Sequence, residues 1–405
     1  MTVVVQKYGG SSLADIEKIQ HVARRIAATR ASHYQVVVTC SAMGDTTDEL
    51  IALAQGLTDH PDTREMDALL ATGEMISTAL VAIALKDIGC PAISLTGLQA
   101  GVQTQGEFGR ARIAAVNPER ILTEIRAGKV VIVAGFQGVN ELQDVATLGR
   151  GASDITAVAL AVALGAKRCE IYTDVEGIYT ADPRLVPEAR KLSEIDYEEM
   201  LELASLGAKM QPRSIELGAL YQIPILVSST FSEAPGTLIH GEAKMEIRNR
   251  VRGVALDPNV AKITVLGVAD RPGIAATLLE PLAAANISVD TIVQNTSVEN
   301  LTDFSFTVTQ NDLEKALETV SSAVQEIGAL GMTHDADLAK VSVVGTGMQN
   351  APGYASHMFR VLANDGINIQ MIATSEIRIT CIVGLDNAEV AVRALHRAFN
   401  LESGD

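Results

Sequence analysis

Hydrophobic positions in the first 240 residues fall into short unbroken runs separated by longer stretches of helical period. Residues 3–6, 36–39, 92–95, 130–134 and 170–173 are mostly consecutive β-branched or aliphatic positions, the pattern of strands buried on both faces. Residues 14–29, 67–87, 118–127 and 154–164 carry apolar positions three and four apart, which predicts helices. Strands alternating with helices at this spacing predict an α/β fold, a mainly parallel open sheet covered by helices on both faces. Residues 225–228 add a further strand, and the first domain is expected to span 1–240.

The pattern then changes. Residues 241–262 hold a mixed-charge stretch and read as a linker. After it the chain repeats itself. The segment 263–267, then Arg271-Pro272-Gly273-Ile274-Ala275, then Asn286-Ile287, is matched by 341–345, Ala351-Pro352-Gly353-Tyr354-Ala355 and Asn368-Ile369. Each copy continues into alternating strands and a closing helix, so the unit is strand, helix, strand, strand, helix. One such module leaves a sheet face or edge unpaired, and two copies can cover one another. The modules are expected at 263–335 and 336–405, with residues 251–255 available as an extra strand for the second.

Charge and composition narrow the partners. The chain has 32 basic against 49 acidic side chains, net −17. An acidic body with no basic stripe argues against nucleic acid and anionic membrane surfaces. No run of eighteen apolar residues predicts a spanning helix, and the first residues do not resemble a secretory signal. A cytoplasmic location is therefore expected. Cys40, Cys90, Cys169 and Cys381 lie far apart in apolar runs, without zinc or redox spacing. They read as reduced core thiols, and no protein metal cage is expected.

Candidate chemistry gathers at the strand ends. Lys7-Tyr8-Gly9-Gly10-Ser11-Ser12 places two glycines and a lysine between a strand and a helix, where exposed N–H groups can hold phosphate oxygens. The segments 39–47, 148–154, 173–177 and 207–210 are similarly rich in Gly, Ser, Thr, Asp, Lys or Arg. Ligands bind beyond the carboxyl ends of strands in open α/β sheets. The seven histidines avoid all these loops. Lysines beside glycine amides suit phosphoryl transfer, in which positioning and charge stabilisation do most of the work. A carboxylate acceptor is already ionised at neutral pH and needs no general base.

Together these segments resemble the aspartate kinases, within the amino-acid kinase fold. Residues 7–12 resemble K-F-G-G-T-S, 71–74 include the substrate-side T-G-E, 148–154 resemble L-G-R-G-G-S-D with Ala152 for a glycine, and 172–184 resemble Y-T-D-V-x-G-x-x-x-x-D-P-R. The repeats resemble ACT modules, ferredoxin-like βαββαβ units that sense small ligands. The resemblance implies ATP-dependent transfer of a phosphoryl group to the β-carboxylate of L-aspartate. That is the first step toward lysine, threonine and methionine, under feedback by lysine and/or threonine. It also implies roles. Lys7, Glu74, Asp154 and Lys209 would be catalytic. Ser41, Thr47, Glu74, Arg150, Gly151 and Ser153 would hold aspartate. Lys7, Gly9, Gly10, Thr173, Asp174, Tyr179, Asp182, Arg184, Lys209 and Met210 would hold ATP, with Mg2+ riding on the nucleotide. Asp270, Gly273, Ile274, Ala275, Gln294, Asn295, Asn368 and Ile369 match effector positions. Paired ACT modules imply self-association. An internal start at Met245 would add a short regulatory subunit and give an α2β2 tetramer. The competing expectations are a kinase of the same fold with another acceptor and a non-catalytic amino-acid sensor. Retention of Lys7, Asp154 and Lys209 argues against the sensor.

Overall fold

The computed structural model describes residues 2–149, 151–241, 251–295, 301–348 and 351–403. They form two compact units, Met1–Ile178 with Lys191–Lys244, and Tyr179–Arg190 with Met245–Asp405. The first unit runs β1 (Thr2–Tyr8), α1 (Ile16–Ala31), β2 (Tyr34–Cys40), α2 (Thr46–Gln55), α3 (Thr63–Asp87), β3 (Ala92–Leu95), β4 (Val102–Gln105), β5 (Arg112–Val116), α4 (Glu119–Arg126), β6 (Val130–Ala134), β7 (Gln137–Val139), β8 (Val145–Thr147), α5 (Ser153–Ala163), β9 (Cys169–Thr173), β10 (Glu194–Asp196), α6 (Tyr197–Ser205), α7 (Pro212–Tyr221), β11 (Ile225–Ser229) and β12 (Thr237–His240).

Eight strands make the main sheet in the order β10-β12-β11-β9-β1-β2-β6-β3. All its pairings are parallel except β11 with β12. Val4, Val5, Val37 and 130–134 are almost wholly buried, as strands covered on both faces require. On one face Ile19, Val22 and Ile26 of α1 and Val81 and Leu85 of α3 pack on Tyr8, Val36, Val38 and Ile132. The helix α5 packs on β1, β2 and β9. Register sets Lys7 beside Thr39 and Ile171, and Tyr8 beside Cys40 and Tyr172. The carboxyl ends of the central strands therefore finish level.

The short strands β4, β5, β7 and β8 form a second sheet in the order β5-β4-β7-β8, which three- to five-residue segments gave no periodicity to predict. Asp67 of α3, 1% exposed, fastens this sheet. Its carboxylate accepts from Gly109 N at 2.9 Å, Thr147 N at 2.7 Å and Thr147 Oγ1 at 2.6 Å. Asp62 accepts from Arg64 N and Glu65 N and starts α3 at Thr63, earlier than its apolar pattern. At 25 residues, with an 18-residue window of mean hydropathy 1.8, α3 is long and apolar enough to cross a bilayer by composition. No unbroken apolar run of eighteen residues occurs within it, because Thr72, Gly73, Glu74, Ser77 and Thr78 interrupt it. Asp67, Glu74, Ser77 and Thr78 of this helix are buried in the unit, as in a core helix.

The second unit contains β13 (Gly253–Ala269), α8 (Ile274–Ala284), β14 (Ile292–Gln294), β15 (Leu301–Val308), α9 (Leu313–Glu326), β16 (Gly331–Val344), α10 (Tyr354–Asn364), β17 (Ile369–Thr374), β18 (Arg378–Gly384) and α11 (Ala388–Ala398). One six-stranded sheet, β14-β15-β13-β16-β18-β17, serves both modules. Residues 253–257 of β13 pair antiparallel with 344–340 of β16, while 262–266 pair with 335–331. Each long strand therefore belongs to both modules, and the expected division at 335/336 falls inside β16. The strand expected near Ile287 begins instead at Ile292, because Asn286 turns the chain at φ 58°.

The excursion Tyr179–Arg190 departs from the expected 1–240 domain. Ala181 and Val186 are buried in the core of the second module with Val254, Met358, Leu362 and Leu395. Thr180 N donates to Arg190 O at 2.9 Å, Val254 N donates to Thr180 O at 2.8 Å, and Thr180 Oγ1 lies 2.9 Å from His396 Nε2. The segment reads as a loop in sequence, and only tertiary burial assigns it to the second unit.

Gly236 lies where a Cβ would stand 2.2 Å from the Val227 carbonyl oxygen. Gly236→Ala should cost about 1–3 kcal/mol through overpacking, read as a lower urea midpoint at unchanged slope.

Candidate active site

The level strand ends bring the glycine and lysine loops together. Beyond β1 the chain turns through Gly9 and a 3-10 turn, Gly10–Ser12. Gly9 N donates to Tyr172 O, and Gly44 N to Gly10 O. A Cβ on Gly10 would meet the Ala42 carbonyl oxygen at 2.9 Å, so only glycine lets the two loops close on one another.

Lys7 reaches from the end of β1 to Asp154 in the first turn of α5, with Nζ 2.7 Å from Oδ1. The two side chains are 12% and 10% exposed. A buried carboxylate and a largely buried ammonium this close each require the other. Asp154 is not the helix cap: Ala152 holds that position and α5 has no side-chain cap. A second lysine–aspartate pair joins Lys209, before α7, to Asp174, after β9. Lys209 holds the Asp174 carboxyl below its ordinary value. Thr173 Oγ1 also donates to Asp174, at 3.0 Å. Met210 beside Lys209 is buried.

Glu74 sits on the buried face of α3, 4% exposed. Its Oε1 accepts from Ala42 N at 3.1 Å. Among the described residues nothing donates to Oε2. Burial pushes its carboxyl up to about 7, against the Ala42 bond that favours the anion. The same helix fixes the neighbouring loop, since Ser77 Oγ donates to Ser41 O at 2.7 Å. Gly73 lets α3 approach that loop, where a Cβ would stand 2.9 Å from Ala42 Cβ. Thr47 is half-buried in the first turn of α2, and Ser153 is buried at the start of α5. Gly151 sits at φ 75°. Arg150 lies outside the described residues.

The first unit thus carries Lys7, Gly9, Gly10, Ser41, Thr47, Glu74, Gly151, Ser153, Asp154, Thr173, Asp174, Lys209 and Met210. Tyr179, Asp182 and Arg184 belong to the second unit, where the Arg184 guanidinium pairs with Asp182. Sequence reading missed Arg213, half-buried near the start of α7, whose guanidinium donates to Leu148 O at 2.9 Å and Ala111 O at 3.3 Å. It fixes the stretch leading to Gly149. Only the nearby Gln211-Pro212 helix start hinted at it.

Comparison with known proteins agrees with this layout. Residues 2–229 match the amino acid kinase family, and residues 262–325 and 341–399 each match an ACT domain. A phosphoryl-transferring amino acid kinase with paired ACT modules is the class these matches define. Over 406 residues the chain is 47% identical to an aspartate kinase of Pseudomonas putida, covering 100% of this chain and 98% of that one. An aspartokinase of Corynebacterium glutamicum is 49% identical over 411 residues, with the same coverage. The crystal structure of E. coli aspartokinase III in complex with aspartate and ADP superposes with a TM-score of 0.84 at 28% identity, over 98% of this chain and 100% of that one. The chain belongs to the aspartokinases of the amino acid kinase family.

Glu74 gives the site a pH signature. Its raised folded-state pKa means that the folded chain binds the proton more tightly than the unfolded one. That stabilisation is complete below pH ~4.5 and is lost as pH rises through about 7. Glu74→Gln should therefore raise stability at pH 8 by up to about 3 kcal/mol and flatten the loss between those limits. Urea unfolding at several pH values checks it.

Proposed function

We propose that this chain is an aspartate kinase, transferring the γ-phosphoryl group of ATP to the β-carboxylate of L-aspartate to give 4-phospho-L-aspartate and ADP. The observation that carries this reading is the buried Lys7–Asp154 pair beside the Gly9 and Gly10 amides at a strand end. A carboxylate oxygen attacks the γ-phosphorus in line. The new O–P bond forms as the bond to the β,γ-bridging oxygen breaks, and ADP leaves. No proton need be removed from the nucleophile. Two anions must be brought together, so charge neutralisation dominates. Lys7 and Lys209 supply it, with Asp154 and Asp174 fixing where each ammonium stands. Glu74, with one carboxylate oxygen lacking a donor among the described residues, is suited to the substrate ammonium, and Arg150 to a carboxylate through its planar fork. Mg2+ arrives with the nucleotide and requires few protein carboxylates when phosphates fill its shell. Asp154 is the carboxylate placed to orient that metal–phosphate region. A kinase with a different acceptor is disfavoured by full-length similarity to aspartate kinases, and a silent sensor by the intact lysine pairs.

The second unit is proposed to sense lysine, threonine or both. Asp270 and Gly273 flank the turn into α8, where Gly273 takes φ 97°, and Ile274 and Ala275 begin that helix. Gln294 ends the edge strand β14, followed by Asn295. Asn368 precedes and Ile369 opens β17, the opposite edge of the same sheet. The two edges lie at opposite ends of the six-stranded order, four strands apart. A second copy of the module pair would complete either edge, so self-association is part of this reading. Met245, the proposed start of a regulatory subunit in an α2β2 assembly, lies outside the described residues. A cytoplasmic location accords with the substrates proposed.

Lys7→Met should lower kcat/KM by roughly 10³-fold or more, in an assay coupled to ADP release with L-aspartate. Activity near that of the unaltered enzyme would refute the mechanism. Because Asp154 is left buried and unpaired, the variant should also lose about 3–5 kcal/mol of stability. Adding Asp154→Asn should restore much of the stability but none of the transfer. Asp270→Ala should weaken inhibition by lysine, threonine or the pair while leaving kcat unchanged. Unaltered inhibition curves would remove Asp270 from the effector site.

A further inference from the structure

Thr230 follows β11 and is fully buried. Each of its polar groups is used on a different element. Its N–H donates to Thr173 O at 2.8 Å, at the end of β9. Its hydroxyl lies 2.6 Å from Ser12 Oγ, in the turn that follows Gly9 and Gly10. Its carbonyl lies 3.0 Å from His21 Nε2 and accepts from Arg25 Nη1 at 3.1 Å, both on α1.

The two halves of the phosphate site are remote in sequence. Lys7, Gly9 and Gly10 belong to β1 and its turn, while Thr173, Asp174 and Lys209 cluster after β9. Thr230 touches both, through Ser12 on one side and Thr173 on the other. The Gly9 N to Tyr172 O bond joins the start of the turn to β9 directly. The Ser12–Thr230–Thr173 chain is a second tie, made at the other end of the turn by a residue that is fully buried.

We propose that Thr230 is a positioning residue for the nucleotide phosphates, holding the glycine turn at a fixed distance from the Thr173–Asp174 strand end through its hydroxyl bond to Ser12. This rests on the kinase reading above and names a determinant of its ATP site. It does not touch the acceptor. Loss of the hydroxyl pair should loosen the Gly10–Ser12 end of the turn against the second cluster, weakening affinity for nucleotide more than for aspartate.

The test compares Thr230→Val, Thr230→Ser, Ser12→Ala and the double variant Ser12→Ala/Thr230→Val. Kinetics and calorimetric binding of ADP with Mg2+ are measured on the full chain. Thr230→Val should raise KM for ATP and Kd for ADP roughly three- to tenfold, the effect of one lost hydrogen bond. KM for aspartate should change less than about twofold, since the hydrogen bonds of Thr230 run to Ser12, Thr173, His21 and Arg25 and not to Ser41, Thr47 or Glu74. Thr230→Ser should restore both values. The double variant should be no worse than either single one, because both remove the same bond. Unchanged ADP affinity, equal losses for ATP and aspartate, or failure of Thr230→Ser to restore binding would overturn the proposal. Should Thr230→Val not fold, Ser12→Ala breaks the same bond from the other side and carries the test. Absence of aspartate phosphorylation by the unaltered chain would refute the kinase reading instead, and ADP binding separates the two results.

Discussion

Burying a lysine in a sheet domain is costly unless an opposite charge is fixed against it. Lys7 projects at the end of the central strand β1, and Asp154 meets it from the first turn of α5. Because β1 pairs in parallel register with both β2 and β9, the ammonium sits where the neighbouring strand ends also finish. Everything proposed for the site follows from that coincidence of register and charge. A positive point is held still, close to glycine amides, in a chain of net charge −17. The negative surroundings do not prevent a small anion from binding, because the local field at the strand ends is set by paired groups whose positions are already fixed.

The buried strands were legible in the sequence because a both-faces-covered strand leaves an unbroken apolar run, as 130–134 does. The glycine turn and the lysines were legible because few other needs place Lys7, Gly9 and Gly10 in that order. Three features were not legible, each for a physical reason. The second small sheet consists of strands too short to show a period. Asp67 and Arg213 act through backbone groups distant in sequence, so nothing near them in the chain announces their partners. The Tyr179–Arg190 excursion looks like a polar turn, and its membership in the second unit depends on Ala181 and Val186 finding apolar neighbours far along the chain, from Val254 to Leu395.

That excursion changes how the chain is divided. Covalently it lies between β9 and β10 of the first unit, but its hydrogen bonds and buried side chains belong with the second module. The chain thus crosses between units three times. The polypeptide itself joins Asp174 of the first unit to that core within a few residues.

The shared strands β13 and β16 carry a different implication, one for how such proteins diversify. Since each strand serves first one module and then the other, a recombination breakpoint between the repeats would sever two ladders midway. Change would therefore come by point substitutions within the repeats or by inheriting both repeats together. The pair, and not the single repeat, is the heritable folding unit.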